Sequence, residues 1–136
     1  MNRLIDQLTA AYGRQEQLYR RVSELVRQQA AAMEAGAGPS EVLATCRTVE
    51  DLMAEIENIE ETVRPAKEEW CRKGRHRAEE LEEILASIEA LIQQVTEDQE
   101  GIQQSLLAYL RSRKEREEGA RQEMSAQRAR RLYRAG

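Results

Sequence analysis

Few side chains in this 136-residue chain are of types that do chemistry, and their spacing does not assemble a catalytic site. Cys71 and His76 could both bind a metal, but two ligands beside a turn do not complete the tetrahedral shell that zinc needs. Cys46 falls on an apolar helical stripe, where a cysteine is usually a small buried residue. The sequence therefore predicts no metal site and no cofactor.

Paired carboxylates are the other candidates for chemistry, since Glu79-Glu80 and Glu82-Glu83 lie close together. On a helix rich in charge such residues usually form a solvated face, and no pocket-forming loop is present to desolvate them. Nucleotide-binding loops, Cys-x-x-Cys pairs and Gly-x-Ser-x-Gly elbows do not occur in the sequence. We expect a protein without catalytic residues that is not an enzyme.

The elements that would position any site are helices. Charged residues make up 34% of the chain and aromatic residues 4%, with only 7 glycines and 2 prolines, so the composition favours helix over strand. No apolar run approaches the roughly 20 residues that cross a bilayer, and no apolar signal segment follows the first residues. We expect an all-α, cytoplasmic protein without a membrane span or a disulfide framework.

Apolar residues spaced alternately three and four positions apart define the first helix, residues 2–34. Gln15 is the polar member of this stripe, and a second apolar row widens it enough to contact two neighbouring helices. The following stretch, 35–40, combines two glycines with a proline and predicts a loop. The first helix therefore suits a bundle.

Two more helices follow. Ser40 is a natural N-cap for the second helix, 40–73, because its hydroxyl can accept a hydrogen bond from a backbone N–H of the first turn. Pro65 is expected to kink this helix or to end it near Val63, since a proline removes a backbone hydrogen bond, and the apolar phase that continues beyond it favours a kink. Gly74 suits the left-handed position after a helix. The third helix, 75–110, has the longest apolar stripe.

Matched helix lengths and short connections predict an elongated antiparallel three-helix bundle or coiled coil over residues 1–110. Residues 111–136 have strong helix propensity but few apolar side chains, and are predicted to be a basic, partly ordered helical tail. Trp70 either anchors the core beside Pro65 or docks a partner. Sequence reasoning leaves both roles for Trp70 open.

Charge is distributed unevenly along the chain. The net formal charge of −4 divides into −9 before Arg111 and +5 from Arg111 onward. A basic tail can indicate nucleic-acid binding, but phosphate-binding surfaces are not usually diluted with acidic residues. Here the cations alternate with Glu115, Glu117, Glu118 and Glu123. We expect protein partners and no nucleic acid.

Tyr133 is the aromatic residue of this tail and is flanked by Arg130, Arg131 and Arg134. Tyrosine and arginine are enriched at binding hot spots, and the tail is too polar to give Tyr133 a core of its own. An interface residue and a residue of a disordered terminus are the two interpretations.

The order of these elements resembles the FlgN-type flagellar export chaperones, and the FliT-type chaperones are almost as similar. The resemblance covers nearly the whole chain and rests on helix order and an ending of the type Tyr-x-x-Gly. The segments that carry it are Leu4 to Met33, a glycine-containing break, a Glu-rich helix with Glu50-Asp51-Leu52 and Ile56-Glu57-Asn58-Ile59-Glu60-Glu61, a long third helix, and Arg130-Arg131-Leu132-Tyr133-Arg134-Ala135-Gly136.

The resemblance implies a cytoplasmic chaperone that binds the C-terminal helical region of hook-associated subunits and delivers them to the flagellar export gate. In that family the C-terminal helix takes part in substrate binding, and a tyrosine near the end is associated with docking at the gate. The partner-binding residues expected here are Leu106, Leu107, Leu110, Met124, Arg130, Arg131, Leu132 and Tyr133.

The alternative function is structural. A coiled-coil adaptor, either a self-associating spacer or a stalk component of a secretion ATPase, would cover its apolar stripe by forming a homo-oligomer. Light scattering would then show a stable dimer at all concentrations, and pull-downs would recover no other partner.

Overall fold

The computed structural model of the protein describes residues 2–75 and 78–135. Nearly all of this part of the chain is helical, which confirms the all-α prediction. The helices are α1, Asn2–Glu34, α2, Pro39–Arg72, and α3, Glu79–Ala135. At 1.5 Å per residue, α1 and α2 are each about 50 Å long.

The same glycine motif ends α1 and α2. Gly36 and Gly74 have φ values of +84° and +77°, which a side chain would strain, and the prediction of a left-handed Gly74 is confirmed. After Gly74, the Arg75 N–H donates to the Trp70 carbonyl at 3.0 Å, which satisfies one of the last carbonyls of α2. These caps let the chain reverse direction within a few residues.

The start of α2 differs from the prediction, which gave Ser40 the N-cap position. Gly38 is the N-cap residue, with extended backbone, and the helix already includes Pro39. A proline suits the first helical position because its φ is preset and the N–H that it lacks would have no partner within the helix. Ser40 therefore lies inside α2.

Pro65 does not end α2, which continues to Arg72. The N–H that the proline lacks would have bonded the carbonyl of Glu61, and both residues lie on the exposed side of the helix, where water can solvate that carbonyl. On the opposite side, Val63, Ala66 and Trp70 keep the same buried phase. The kink itself stays a prediction.

The chain forms two compact units, Met1–Glu100 and Gly101–Gly136, which we call the bundle unit and the C-terminal unit. In the bundle unit, α1 and α2 run antiparallel, because Gln15 contacts the Ile56 carbonyl whereas Gln29 contacts the Val42 carbonyl. The bundle-unit part of α3 is parallel to α1. The first turns of α3 share a core cluster with the start of α1. Further along α3, Asp98 lies 3.9 Å from Arg27, which is near the end of α1.

All three helices of the bundle unit contribute to one hydrophobic cluster. Trp70, only 1% exposed, is its largest buried side chain, which confirms the role of Trp70 as a core anchor. The buried members of the cluster are Leu8, Tyr12, Val63, Ala66, Trp70, Ala78, Leu81 and Ile88. The predicted up-down-up bundle is thus the architecture of this unit.

The third helix differs most from its predicted span of 75–110. It begins at Glu79, after the left-handed backbone of residues 74 and 75, and it runs on to Ala135. Beyond Leu110 the sequence has no proline and consists mainly of good helix formers, so no local signal stops the helix. The residues predicted as a separate tail are helical, and the two units divide at Gly101 rather than after Leu110.

Candidate partner-binding surface

The buried stripe of α3 changes character within the C-terminal unit. Leu81, Ile88, Val95 and Ile102 are all less than 9% exposed and continue one another at helical spacing. No residue from Gln103 to Arg134 is buried, and only Leu106 and Ser112 are half-buried. The C-terminal unit therefore presents its apolar side chains to solvent.

Four large apolar side chains follow one another at the start of this unit and form what we call the proximal patch. Its members are Leu106, Leu107, Tyr109 and Leu110. Leu107 is 61% exposed and Leu110 is 56% exposed, and residues 101–110 contain no charged side chain. Large exposed leucines grouped on one stretch of helix are typical of an interaction surface.

A second group begins at Met124, which lies about 21 Å beyond Leu110 along α3 at 1.5 Å per residue. We call Met124, Arg128, Arg131 and Leu132 the distal patch. Met124 is 70% exposed and Leu132 is 72% exposed. At about 100° per residue, the four side chains share one side of the helix, within an arc of about 100°.

Helical geometry brings together most of the residues predicted to bind a partner. Leu106, Leu110 and Met124 project in nearly the same direction, with Leu107 and Leu132 at one margin. Arg130 and Tyr133 do not join them: they lie about 120° and about 180° from Met124 around the axis. Tyr133 is 92% exposed, and the Gly136 of its motif lies outside the described residues.

Charged residues separate the two patches. Arg113 and Glu117 form an ion pair at 3.4 Å between neighbouring helical turns, and Arg116 donates to the Ser112 hydroxyl at 3.4 Å. Exposed pairs of this kind contribute a few tenths of a kcal/mol, roughly 0.3–0.5, to helix stability. The segment between the patches is therefore a solvated helix.

Sequence reasoning missed Tyr109, which is 49% exposed and belongs to the proximal patch. Its position next to Leu110 could have indicated this role, but burial of a stripe residue depends on whether another helix reaches it. Sequence periodicity reports only that a face is apolar.

The bundle unit contains a polar cluster centred on Glu60. The Glu60 carboxylate accepts a hydrogen bond from the Tyr12 hydroxyl at 3.3 Å and forms an ion pair with the Lys67 ammonium at 3.3 Å. The same ammonium lies 5.4 Å from the centre of the Tyr12 ring. The Gln15 amide also reaches Glu60, at 3.5 Å. These contacts connect the middle of α1 to α2 and satisfy polar groups at the edge of the core.

This cluster changes the acidity of two tyrosines. Burial, followed by the charge of Glu60, raises the pKa of Tyr12 well above its ordinary value. Burial also raises the pKa of Tyr19, with smaller contributions from Glu60 and Glu57. Both phenols favour the neutral, hydrogen-bonding form.

The residues first considered for chemistry are dispersed. Three exposed glutamates, Glu79, Glu80 and Glu82, lie in the first turn of α3, where their negative charges interact favourably with the positive end of the helix dipole. Cys71 is exposed, and His76 lies outside the described residues. Cys46 is half-buried rather than buried, with the Gln29 amide 3.0 Å from its sulfur. No three potential metal ligands converge within residues 2–75 and 78–135.

Comparison with known proteins adds no relative, because no family model, curated protein or solved structure matches the chain. None of the three helices, over the residues described, is long and apolar enough to cross a membrane.

Proposed function

We propose that this chain is a chaperone of flagellar type III export, which binds the C-terminal helical region of a hook-associated subunit along the C-terminal unit. The observation that carries the proposal is the exposure of Leu107, Leu110, Met124 and Leu132 on one helix. Large exposed aliphatic side chains at helical spacing are typical of surfaces that accept a partner helix.

The dimensions of the surface suit such a partner. Leu106 and Leu132 are separated by about 39 Å along the axis, which an amphipathic partner helix of about 26 residues would match. A paired helix of that length buries on the order of 1,000 Å² in total, the size of a specific but transient interface. Transient binding is what a chaperone that releases its client requires.

The identity of the client and of the export gate rests on the resemblance to FlgN-type chaperones. The position of Tyr133 supports a second docking site, because it projects about 180° away from Met124 and is 92% exposed. A client covering the two patches would leave Tyr133 accessible to the gate. Subunit binding and gate docking would therefore use different sides of α3.

Titration calorimetry with the hook-associated subunit of the same organism tests the proposal. Leu107→Glu should weaken binding at least tenfold, because it places a carboxylate in an apolar contact. Leu43→Glu is the matched control, since Leu43 on α2 is also 61% exposed but lies outside both patches. Equal binding by the two variants, or undiminished binding after truncation beyond Leu110, would refute the proposal.

A self-associating coiled coil is the second candidate, favoured by the same exposed leucines. Light scattering separates the two functions, because self-association through the proximal patch gives a dimer that Leu107→Glu dissociates. A monomer that binds the subunit supports the chaperone, whereas a dimer indifferent to the subunit supports the structural role.

A further inference from the structure

The distal patch has an unbalanced charge. Arg128 and Arg131 lie on the same side of α3 as Met124 and Leu132, while the last acidic residue of the chain, Glu123, lies about 100° around the axis from Met124. All of these side chains are exposed. The patch therefore combines two aliphatic anchors with two guanidinium groups.

No residue of the helix can neutralise these two arginines. Partners on a helix surface lie three or four positions away, and none of those positions around Arg128 or Arg131 holds an acidic residue. Arg113 differs, since it pairs with Glu117 at 3.4 Å. The positive charge of the distal patch remains available to a binding partner.

The two patches thus differ along the axis of α3. The proximal patch lies in a segment, 101–110, with no charged side chain, and the cations that follow it, Arg111, Arg113 and Lys114, each have a glutamate four positions further on. The distal patch is cationic, and its arginines have no such partner. A helix lying along both would meet an apolar surface at one end and a positively charged apolar surface at the other. Such a gradient can select both the composition and the direction of a bound helix.

We propose that the surface recognises an amphipathic protein helix that is uncharged beside its apolar stripe at one end and acidic beside it at the other. The acidic end lies against Arg128 and Arg131, which fixes the direction of the partner. This inference rests on the proposed function and specifies the chemistry of the client.

The aliphatic residues of the patch favour a protein helix over nucleic acid or lipid. Met124 and Leu132, 70% and 72% exposed, lie on the same side of the helix as the arginines, and a phosphate backbone makes little use of such side chains. A membrane surface would require a broad apolar face with large side chains, and the distal patch offers only two. Aliphatic anchors flanked by arginine suit a helical protein partner.

Two synthetic helical peptides of about 28 residues, long enough to reach from Leu106 to Leu132, test the inference with the full-length chain. Both carry the same leucine stripe. Beside the stripe, one half of the glutamate peptide carries glutamates, and the same half of the lysine peptide carries lysines. Fluorescence anisotropy should show at least tenfold tighter binding of the glutamate peptide. That preference should weaken as salt screens the charges.

Neighbouring arginines supply the matched variants. Arg131→Glu should weaken binding of the glutamate peptide about tenfold, whereas Arg130→Glu, an identical charge change at a residue about 120° from Met124 around the axis, should leave it within about twofold. Equal effects of the two substitutions, equal binding of the two peptides, or binding of neither would overturn the inference.

Two further probes separate the alternatives. Tighter binding of a single-stranded RNA or of phosphatidylglycerol vesicles than of the glutamate peptide would replace the protein helix with a phosphate ligand and overturn the inference. One outcome is that the hook-associated subunit binds the wild type and Arg131→Glu with equal affinity while Leu107→Glu abolishes its binding. In that case this inference fails and the proposed function stands.

Discussion

Gln15 and Gln29 lie two heptads apart on α1 and make the same contact with α2. The Gln15 amide donates to the Ile56 carbonyl at 3.3 Å, and the Gln29 amide donates to the Val42 carbonyl at 3.2 Å. The two carbonyls are also two heptads apart. Because a slip of either helix would break both bonds and leave buried amides unpaired, this pair of contacts specifies the antiparallel register.

Replacing either glutamine with alanine should destabilise the bundle. Gln15→Ala and Gln29→Ala each remove a hydrogen bond and leave a small cavity, so each should lower the free energy of unfolding by about 1–3 kcal/mol. The sites are about 21 Å apart, and their effects should add within about 0.5 kcal/mol. Urea denaturation measures both effects. Gln28→Ala is the control, because Gln28 is exposed and should tolerate alanine.

The sequence predicted the elements of the bundle well where local signals agreed with packing. The apolar stripe of α1 and the glycine after it gave the helix end at Glu34, and Gly74 has the predicted left-handed conformation. Gln29 shows the limit of this reasoning. A polar residue in a stripe looks like a surface position until the carbonyl that it binds is known.

The surface on α3 was only partly predictable, for a related reason. Composition and spacing indicated that one side of α3 is apolar, but not which residues on that side are exposed. Leu106 continues the stripe of Ile102, yet Ile102 is 7% exposed and Leu106 is half-buried. The sequence predicted a partly ordered helical tail after Leu110, whereas α3 runs unbroken to Ala135, because loss of an apolar stripe does not stop a helix made of good helix formers.

Truncating Trp70, the largest buried side chain of the core, should destabilise the bundle more than truncating an exposed side chain. Trp70→Ala should lower the free energy of unfolding by about 3–5 kcal/mol, because the indole is 1% exposed and packs in the core cluster. Leu132→Ala, at a residue that is 72% exposed, should change it by less than about 0.5 kcal/mol. Chemical denaturation compares them, and similar midpoints would show that Trp70 is not a core anchor.

Two glycines of the bundle unit should respond to alanine with opposite signs. Gly74→Ala forces a side chain into a φ of +77° and should lower the melting temperature, at a cost of about 1 kcal/mol. Gly13 lies inside α1 with nothing within 4 Å of an added Cβ, so Gly13→Ala should stabilise by about 1 kcal/mol. Thermal melts by circular dichroism test the signs. A stabilising Gly74→Ala would contradict the left-handed cap.

Alkaline pH should destabilise the bundle through Tyr12. Folding raises the pKa of this phenol, chiefly by burial and secondarily through Glu60. An acid whose pKa is higher in the folded state contributes stability that is fully present below its unfolded pKa of about 10 and is lost as pH rises beyond it. The free energy of unfolding should therefore fall above about pH 10.

Tyr12→Phe keeps the ring in the core and removes the ionisable hydroxyl, so it should reduce this alkaline loss. Some decline should remain, because burial also raises the pKa of Tyr19. Urea titrations between pH 8 and pH 11 measure the slopes. An unchanged slope in Tyr12→Phe would mean that the Tyr12 hydroxyl ionises as easily in the folded protein, where it is bonded to Glu60, as in the unfolded chain.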